Sequence, residues 1–123
     1  MTDPRHALGL DAEAAVAAWL TDHGWEILDQ RHRSPAGEID LVALDGRGQL
    51  VAVEVRLRRS RSAGSATESV SPRHLRRLRA ALAAYARDAS VRHAGMRVDL
   101  VAVSPASESG IWQLDRLPGI DAW

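Results

Sequence analysis

The spacing of apolar and polar residues changes several times along the chain, and each change marks an element. Over 10–23, LDAEAAVAAWLTDH puts Ala12, Val16, Trp19 and Leu20 near helical spacing in an alanine-rich run. Gly24 follows where a left-handed C-cap residue belongs. WEILDQ, 25–30, alternates as a strand does, and RHRSPA, 31–36, reads as a loop broken by Pro35. The clearest strands are 38–44 and 50–57, joined by Asp45-Gly46-Arg47-Gly48. RRSRSAGSATES, 58–69, is small and polar, as a mobile exposed loop would be. Ser71-Pro72 then supplies an N-cap and a first helical residue. Leu75, Leu78, Leu82 and Tyr85 form one stripe of that helix, with Arg73, Arg76, Arg77 and Arg79 mainly on its other sides. RVDLVAVS, 97–104, and IWQLDRL, 111–117, are further strands, and the tail 118–123 carries no readable pattern. The order αβββαβ(β), without repeats or a linker, predicts one α/β domain over 1–123.

Two acids interrupt the strongest strands. If Leu44 pairs with Leu50, Val42 faces Ala52, Asp40 faces Glu54 and Glu38 faces Arg56. Directly opposed residues share a face at about 4.5 to 5.5 Å between Cβ atoms. A two-residue turn at Gly46-Arg47 would shift the pairing by one and send the two carboxylates to opposite faces. The first register matches apolar partners on both faces and is preferred. It leaves two acids side by side, which either share a proton or bind a cation. Oxygen ligands from two acids, with positions left for water and phosphate, suit Mg²⁺ or Mn²⁺. A solvent-facing Glu54 that keeps its strand soluble is the plainer alternative, and it fits poorly in a run as apolar as LVAVEV.

Composition narrows the class. Cysteine is absent, which excludes a disulfide framework and thiolate metal sites. The chain also lacks phenylalanine, so a core must rest on Val, Leu, Ala, Ile and four tryptophans. MTDPRHALGL has no signal-peptide pattern, and no stretch approaches the ~20 apolar residues of a membrane span. A soluble cytoplasmic protein is expected. The formal net charge is zero, yet its distribution is uneven. All 16 basic residues are arginine, and half of them lie between Arg56 and Arg79, where Glu68 is the only acid. A concentrated set of guanidinium forks suits phosphate oxygens. Biased codon usage could produce the same arginine-rich surface. The histidines show no zinc-type spacing and read as surface or loop residues.

An acid on one strand followed by acid-X-lysine on the next is the active-site pattern of the PD-(D/E)XK nuclease superfamily. Here Asp40 is the first acid and Glu54-Val55-Arg56 the second element, with arginine in the lysine position. The flanks are closer still: Gly9, Glu13 and Val16 on the first helix, Arg33 before Gly37-Glu38-Ile39-Asp40, then Val53-Glu54-Val55. Val70-Ser71-Pro72-Arg73 and Arg97-Val98-Asp99 follow. Over about residues 8–104 the chain resembles the YraN-like family, small bacterial proteins similar to Holliday junction resolvases. That resemblance implies a restriction-endonuclease-like mixed sheet flanked by helices. It also implies a metal-dependent endonuclease acting on branched or duplex DNA, with no small-molecule cofactor, no membrane, and a homodimer as one compatible assembly.

By the same resemblance, Asp40, Glu54 and the Val55 carbonyl hold Mg²⁺ or Mn²⁺, and Glu13 is a further ligand or orients a bound water. Arg56 would position a hydroxide or stabilise developing charge, because arginine effectively cannot lose its proton. A cross-strand ion pair between Arg56 and Glu38 is its plainer role. Arg33, Arg58, Arg59, Arg61, Arg73, Arg76 and Arg77 would grip phosphates without reading bases. His74 also stands where the family pattern has lysine. Asp99 is a weak candidate, equally explained by a local hydrogen bond. Two other readings stay open: a catalytically weak nucleic-acid-binding protein on the same fold, and an interaction domain for an acidic protein partner.

Overall fold

The helical and alternating signals become α1 (Pro4–Asp22), β1 (Glu26–Ser34), β2 (Gly37–Leu44), β3 (Leu50–Leu57), α2 (Pro72–Asp88), β4 (Met96–Ala106) and β5 (Ile111–Leu117). The structure, a computed structural model of the chain, describes residues 4–58, 69–106 and 111–121. Residues 59–68 of the expected basic loop, with Arg59 and Arg61, therefore lie outside the described residues. Local chemistry sets the boundaries of the helices. Gly24 adopts φ 87° just after α1, which a glycine does without a Cβ penalty. The Ser71 hydroxyl accepts the His74 N–H at 3.1 Å, and Pro72 follows as the first residue of α2.

The five strands form one sheet in the order β1-β2-β3-β4-β5. Neighbours are antiparallel except β3 and β4, which run parallel and are joined across the sheet by α2. One face packs Ile39, Val42, Leu50, Ala52, Val98 and Leu100 under Leu75, Leu78, Ala81 and Leu82 of α2. The other packs Leu41, Val51, Val53, Val101 and Val103 against Ala12, Val16, Ala17 and Leu20 of α1. β3 is covered on both sides, so Leu50 through Glu54 are all buried and the strand reads as a nearly unbroken apolar run. No helix among the described residues is long and apolar enough to cross a membrane.

One predicted boundary was wrong. The loop expected over 31–36 is mostly strand, because β1 continues to Ser34 and only Pro35 and Ala36 turn. His32, Arg33 and Ser34 pair with Ile39, Glu38 and Gly37, and this tertiary ladder outweighs the polar sequence. The unreadable tail is placed as far as Asp121, the last described residue. Ile120 N–H donates to the Val98 carbonyl at 2.9 Å, and the Asp121 carboxylate accepts Val98 N–H at 3.0 Å.

At the end of the sheet where β2 turns into β3, Asp99 is fully buried. It accepts from Arg97 Nε at 2.9 Å, from Arg116 Nη1 at 3.0 Å and from Gly119 N–H at 2.9 Å. Arg97 also reaches Asp45 and Gln49 in the β2–β3 turn. Both guanidinium groups lie over the Trp25 ring, at 5.5 and 5.3 Å from its centroid. The local hydrogen bond considered for Asp99 is thus real, within a knot that ties β4, β5, the β2–β3 turn and the tail together. Removing the acid leaves two partly buried guanidiniums without their partner. Asp99→Ala should therefore lower stability by roughly 3 to 5 kcal/mol in urea unfolding, whereas truncating an exposed acid such as Asp88 should change it by well under ~1 kcal/mol.

Candidate active site

The site arises where two neighbouring strands stop pairing. β2 and β3 are in register at Leu44–Leu50, Ala43–Val51, Val42–Ala52 and Leu41–Val53, the preferred hairpin alignment, and the ladder ends there. β2 continues alongside β1 to Gly37, while β3 continues alongside β4 to Leu57. The strands part at Asp40 and Glu54 and leave a notch at that end of the sheet. Asp40 fills the first missing ladder position with its side chain, its Oδ2 accepting Val55 N–H at 2.9 Å. Glu54 lies two residues after Ala52, on the α2 face, and is only 6% exposed. The solvent-facing alternative for Glu54 is therefore excluded.

Two groups flank Glu54. Arg56 Nη2 lies 3.4 Å from one carboxylate oxygen, and His74 Nε2, on the first turn of α2, lies 3.3 Å from the other. Neither contact completes the cluster: among the described residues, Arg56 Nε and His74 Nε2 are buried without a hydrogen-bond partner. Beyond His74, Gly37, Glu38, Arg77 and Leu78 complete the lining of a cavity of about 280 Å³. Two larger cavities, of about 400 and 500 Å³, lie at other parts of the sheet, beside Met96 and beside Arg116. None of the three is lined by Asp40 or Glu54 themselves; the smallest lies beside them, at His74.

Burial, and then the neighbouring Asp40 charge, push Glu54 up to about 8. Asp40 is raised as well, chiefly by burial, with the Val55 N–H and the Arg56 charge acting against it. The two carboxyl groups thus behave as a coupled pair that resists a second negative charge. Glu13 on α1 is raised by burial and then by Asp40, with Arg31 opposing. His74 is lowered by burial and by Arg56, so its imidazole is neutral at pH 7 and its contact with Glu54 is not an ion pair. Among the described residues, no three carboxylate, imidazole or thiol groups converge on one point. What the fold brings together is the pair of carboxyl groups of Asp40 and Glu54.

The expected residues divide accordingly. Asp40, Glu54, Val55 and Arg56 meet at the notch, and Glu13 approaches from the opposite face. The pairing of Arg56 with Glu38 does not occur. The strands have parted by that point, and Glu38 instead sits across from Arg33, 3.3 Å from its Nε, with both side chains exposed. Arg73, Arg76 and Arg77 are exposed on α2, and Arg77 borders the cavity beside the notch. Arg58 is turned toward the Leu57 carbonyl and Ser69. Sequence reasoning missed two residues: His74, read as a surface residue although it stands where the family pattern has lysine, and Arg31, which was given no role. His74 follows Ser71 by three positions, so capping geometry could have aimed it back at the strand ends. No sequence signal distinguished Arg31.

A model of an uncharacterised protein family, UPF0102, matches residues 12–103, which take in the notch, the later part of α1, all of α2 and most of β4. The chain belongs to this family, the YraN-like group. A UPF0102 protein of Anaeromyxobacter dehalogenans is 46% identical over 106 residues, covering 83% of this chain and 75% of that one. One from Moorella thermoacetica is 43% identical over 103 residues, covering 84% and 85%. One from Deinococcus radiodurans is 38% identical over 112 residues, covering 90% and 91%. The UPF0102 match therefore includes the notch and four of the five strands, β5 lying beyond it.

The raised carboxylates make the stability of this UPF0102 protein depend on pH. Between the ordinary glutamate value of 4.5 and about 8, the folded state binds a proton at Glu54 that the unfolded state has released. Stability contributed by that proton is complete below 4.5 and is lost as pH rises through about 8. The slope is at most roughly 1.4 kcal/mol per pH unit for one group. Glu54→Gln should flatten this decline and make the protein more stable than the parent at pH 8.5. Chemical denaturation from pH 4.5 to 9 measures both effects, and parallel curves for the two proteins would contradict the assignment.

Proposed function

We propose that this protein is a metal-dependent endonuclease that hydrolyses phosphodiesters in structured or branched DNA, in the manner of a Holliday junction resolvase. The observation that carries the reading is the buried pair of Asp40 and Glu54 at the point where β2 and β3 part. Two acids that resist ionising together fit a cation between them, and a partnerless Arg56 Nε beside them fits a phosphate oxygen. The preference for branched DNA follows from the family resemblance.

Asp40, Glu54 and the Val55 carbonyl would hold Mg²⁺ or Mn²⁺, which when bound supplies Lewis acidity and an activated water. The remaining steps belong to the chain. Val55 N–H holds one Asp40 oxygen in place, and Asp40 also shares a hydrogen bond with the Glu54 carboxyl group that a bound cation would replace. Glu54 must release its proton before it can ligate, so cation and proton compete for one carboxylate. Arg56 keeps its charge throughout and can donate from Nε to a non-bridging oxygen as negative charge builds at phosphorus. It cannot take a proton from water, as a lysine in that position could. Glu13 closes the α1 side. Arg33, Arg58, Arg73, Arg76 and Arg77, with Arg59 and Arg61, would neutralise flanking phosphates.

The fixed charge of Arg56 also favours a second reading, DNA binding on the same fold with little or no hydrolysis. One set of assays separates the two. With Mn²⁺ or Mg²⁺, the parent should nick a synthetic four-way junction, and both Asp40→Asn and Glu54→Gln should reduce cleavage to background. Salt-sensitive binding without cleavage, restored by Arg56→Lys, would select the second reading. Cleavage surviving both acid substitutions would defeat the first. Independently of activity, calorimetry should show Mn²⁺ binding with proton release. Its affinity should rise by up to about tenfold per pH unit below the Glu54 value, and Glu54→Gln should remove that dependence.

A further inference from the structure

Among the described residues, two other than glycine adopt positive φ: Ser90 and Arg31, both at 53°. Ser90 follows the last residues of α2, where a left-handed residue ordinarily ends a helix. Arg31 has no such excuse. It lies within β1, a strand that stays paired on both sides of it, and an arginine in this conformation carries a steric penalty that glycine avoids.

The location of the strain is specific. Gln30 pairs with Leu41 and His32 with Ile39, so Arg31 stands opposite Asp40. β2 shows the same distortion from its own side. Ile39 and Val42 both pack on the α2 face, whereas Leu41 packs on the α1 face, so the two-residue alternation slips at Asp40. Arg31 is half-buried and, among the described residues, makes no hydrogen bond or ion pair, although its charge acts on Glu13. A strained backbone beside the first acid thus carries a guanidinium that, among the described residues, has no hydrogen-bond or ion-pair partner and acts on Glu13 only through its charge. Strain of this kind persists where its surroundings enforce it, and it clusters at functional sites.

We propose that Arg31 binds a phosphodiester oxygen of the substrate from the β1 side of the notch, across Asp40 from Arg56 and His74. The proposal rests on the nuclease reading. It adds a phosphate contact that the arginine-rich segment 56–79 does not contain, and it makes the distorted β1 strand part of substrate binding.

Arg31→Gly, Arg31→Ala and Arg31→Lys test it through thermal unfolding and fluorescence anisotropy with a four-way DNA junction. The divalent ions are chelated so that strands stay intact, and salt is varied. Glycine should relieve the backbone and raise Tm by roughly 2 to 5 °C. It should also weaken binding about tenfold and reduce the salt slope by about one. Alanine should lose the same affinity without the gain in Tm, and lysine should retain the parent's slope. Unchanged affinity and slope in both the glycine and alanine variants would overturn the role of Arg31 while the parent's cleavage of the junction left the nuclease reading intact. A parent protein that neither binds nor cleaves the junction would overturn both.

Discussion

The hydrogen bond from Val55 N–H to Asp40 Oδ2 is the hinge of this structure. An antiparallel pair that continued past Leu41 and Val53 would pair backbone with backbone and leave no notch. A pair that simply stopped would strand a buried N–H. Asp40 resolves this by accepting with its side chain what the neighbouring strand would have accepted with a carbonyl. β2 is then free to follow β1, and β3 to follow β4. The same interaction fixes one oxygen of a carboxylate beside Glu54. The divergence of the strands and the assembly of the site are therefore one event, with α2 and α1 closing over it from opposite faces.

Much of this was legible in the sequence, for identifiable reasons. The register of β2 against β3 followed from matching Leu44 with Leu50 and Val42 with Ala52, because a slip of one would have exchanged core and surface positions. That register placed Asp40 by Glu54 and exposed the problem of two adjacent acids. The same logic misplaced Glu38, since it assumed that the ladder ran on past Asp40. A side chain replacing a backbone acceptor is a long-range fact that local periodicity does not encode. β1 was cut short for a similar reason: RHR is polar, and only its pairing with Glu38 and Ile39 makes it a strand. Arg31 was invisible because a left-handed arginine has no signature in sequence, whereas a left-handed glycine does.

The placement of arginine also divides by physical role. Arg97 and Arg116 are bound to acids and packed on Trp25, and their charge is consumed by the fold. Arg73, Arg76 and Arg77 lie exposed on α2, and Arg77 lines the cavity beside His74. A formal net charge of zero therefore describes the whole chain while concealing a local excess near the carboxylates.

Burial alone does not distinguish Asp99 from Glu54; what each carboxyl group meets does. Both are almost wholly removed from water. Asp99 is matched by two guanidiniums and a backbone N–H, so each oxygen has a donor and its negative charge is neutralised in place. Glu54 meets one guanidinium at 3.4 Å, a neutral imidazole out of hydrogen-bond alignment, and a second carboxyl group that opposes its ionisation. A chain selected only for stability could have replaced Glu54 with valine in a strand already covered on both faces. Keeping an acid there costs stability at every pH where it ionises, unless something positively charged arrives to hold it. The energetic debt left at Glu54, and already settled at Asp99, is the physical difference between these two buried acids.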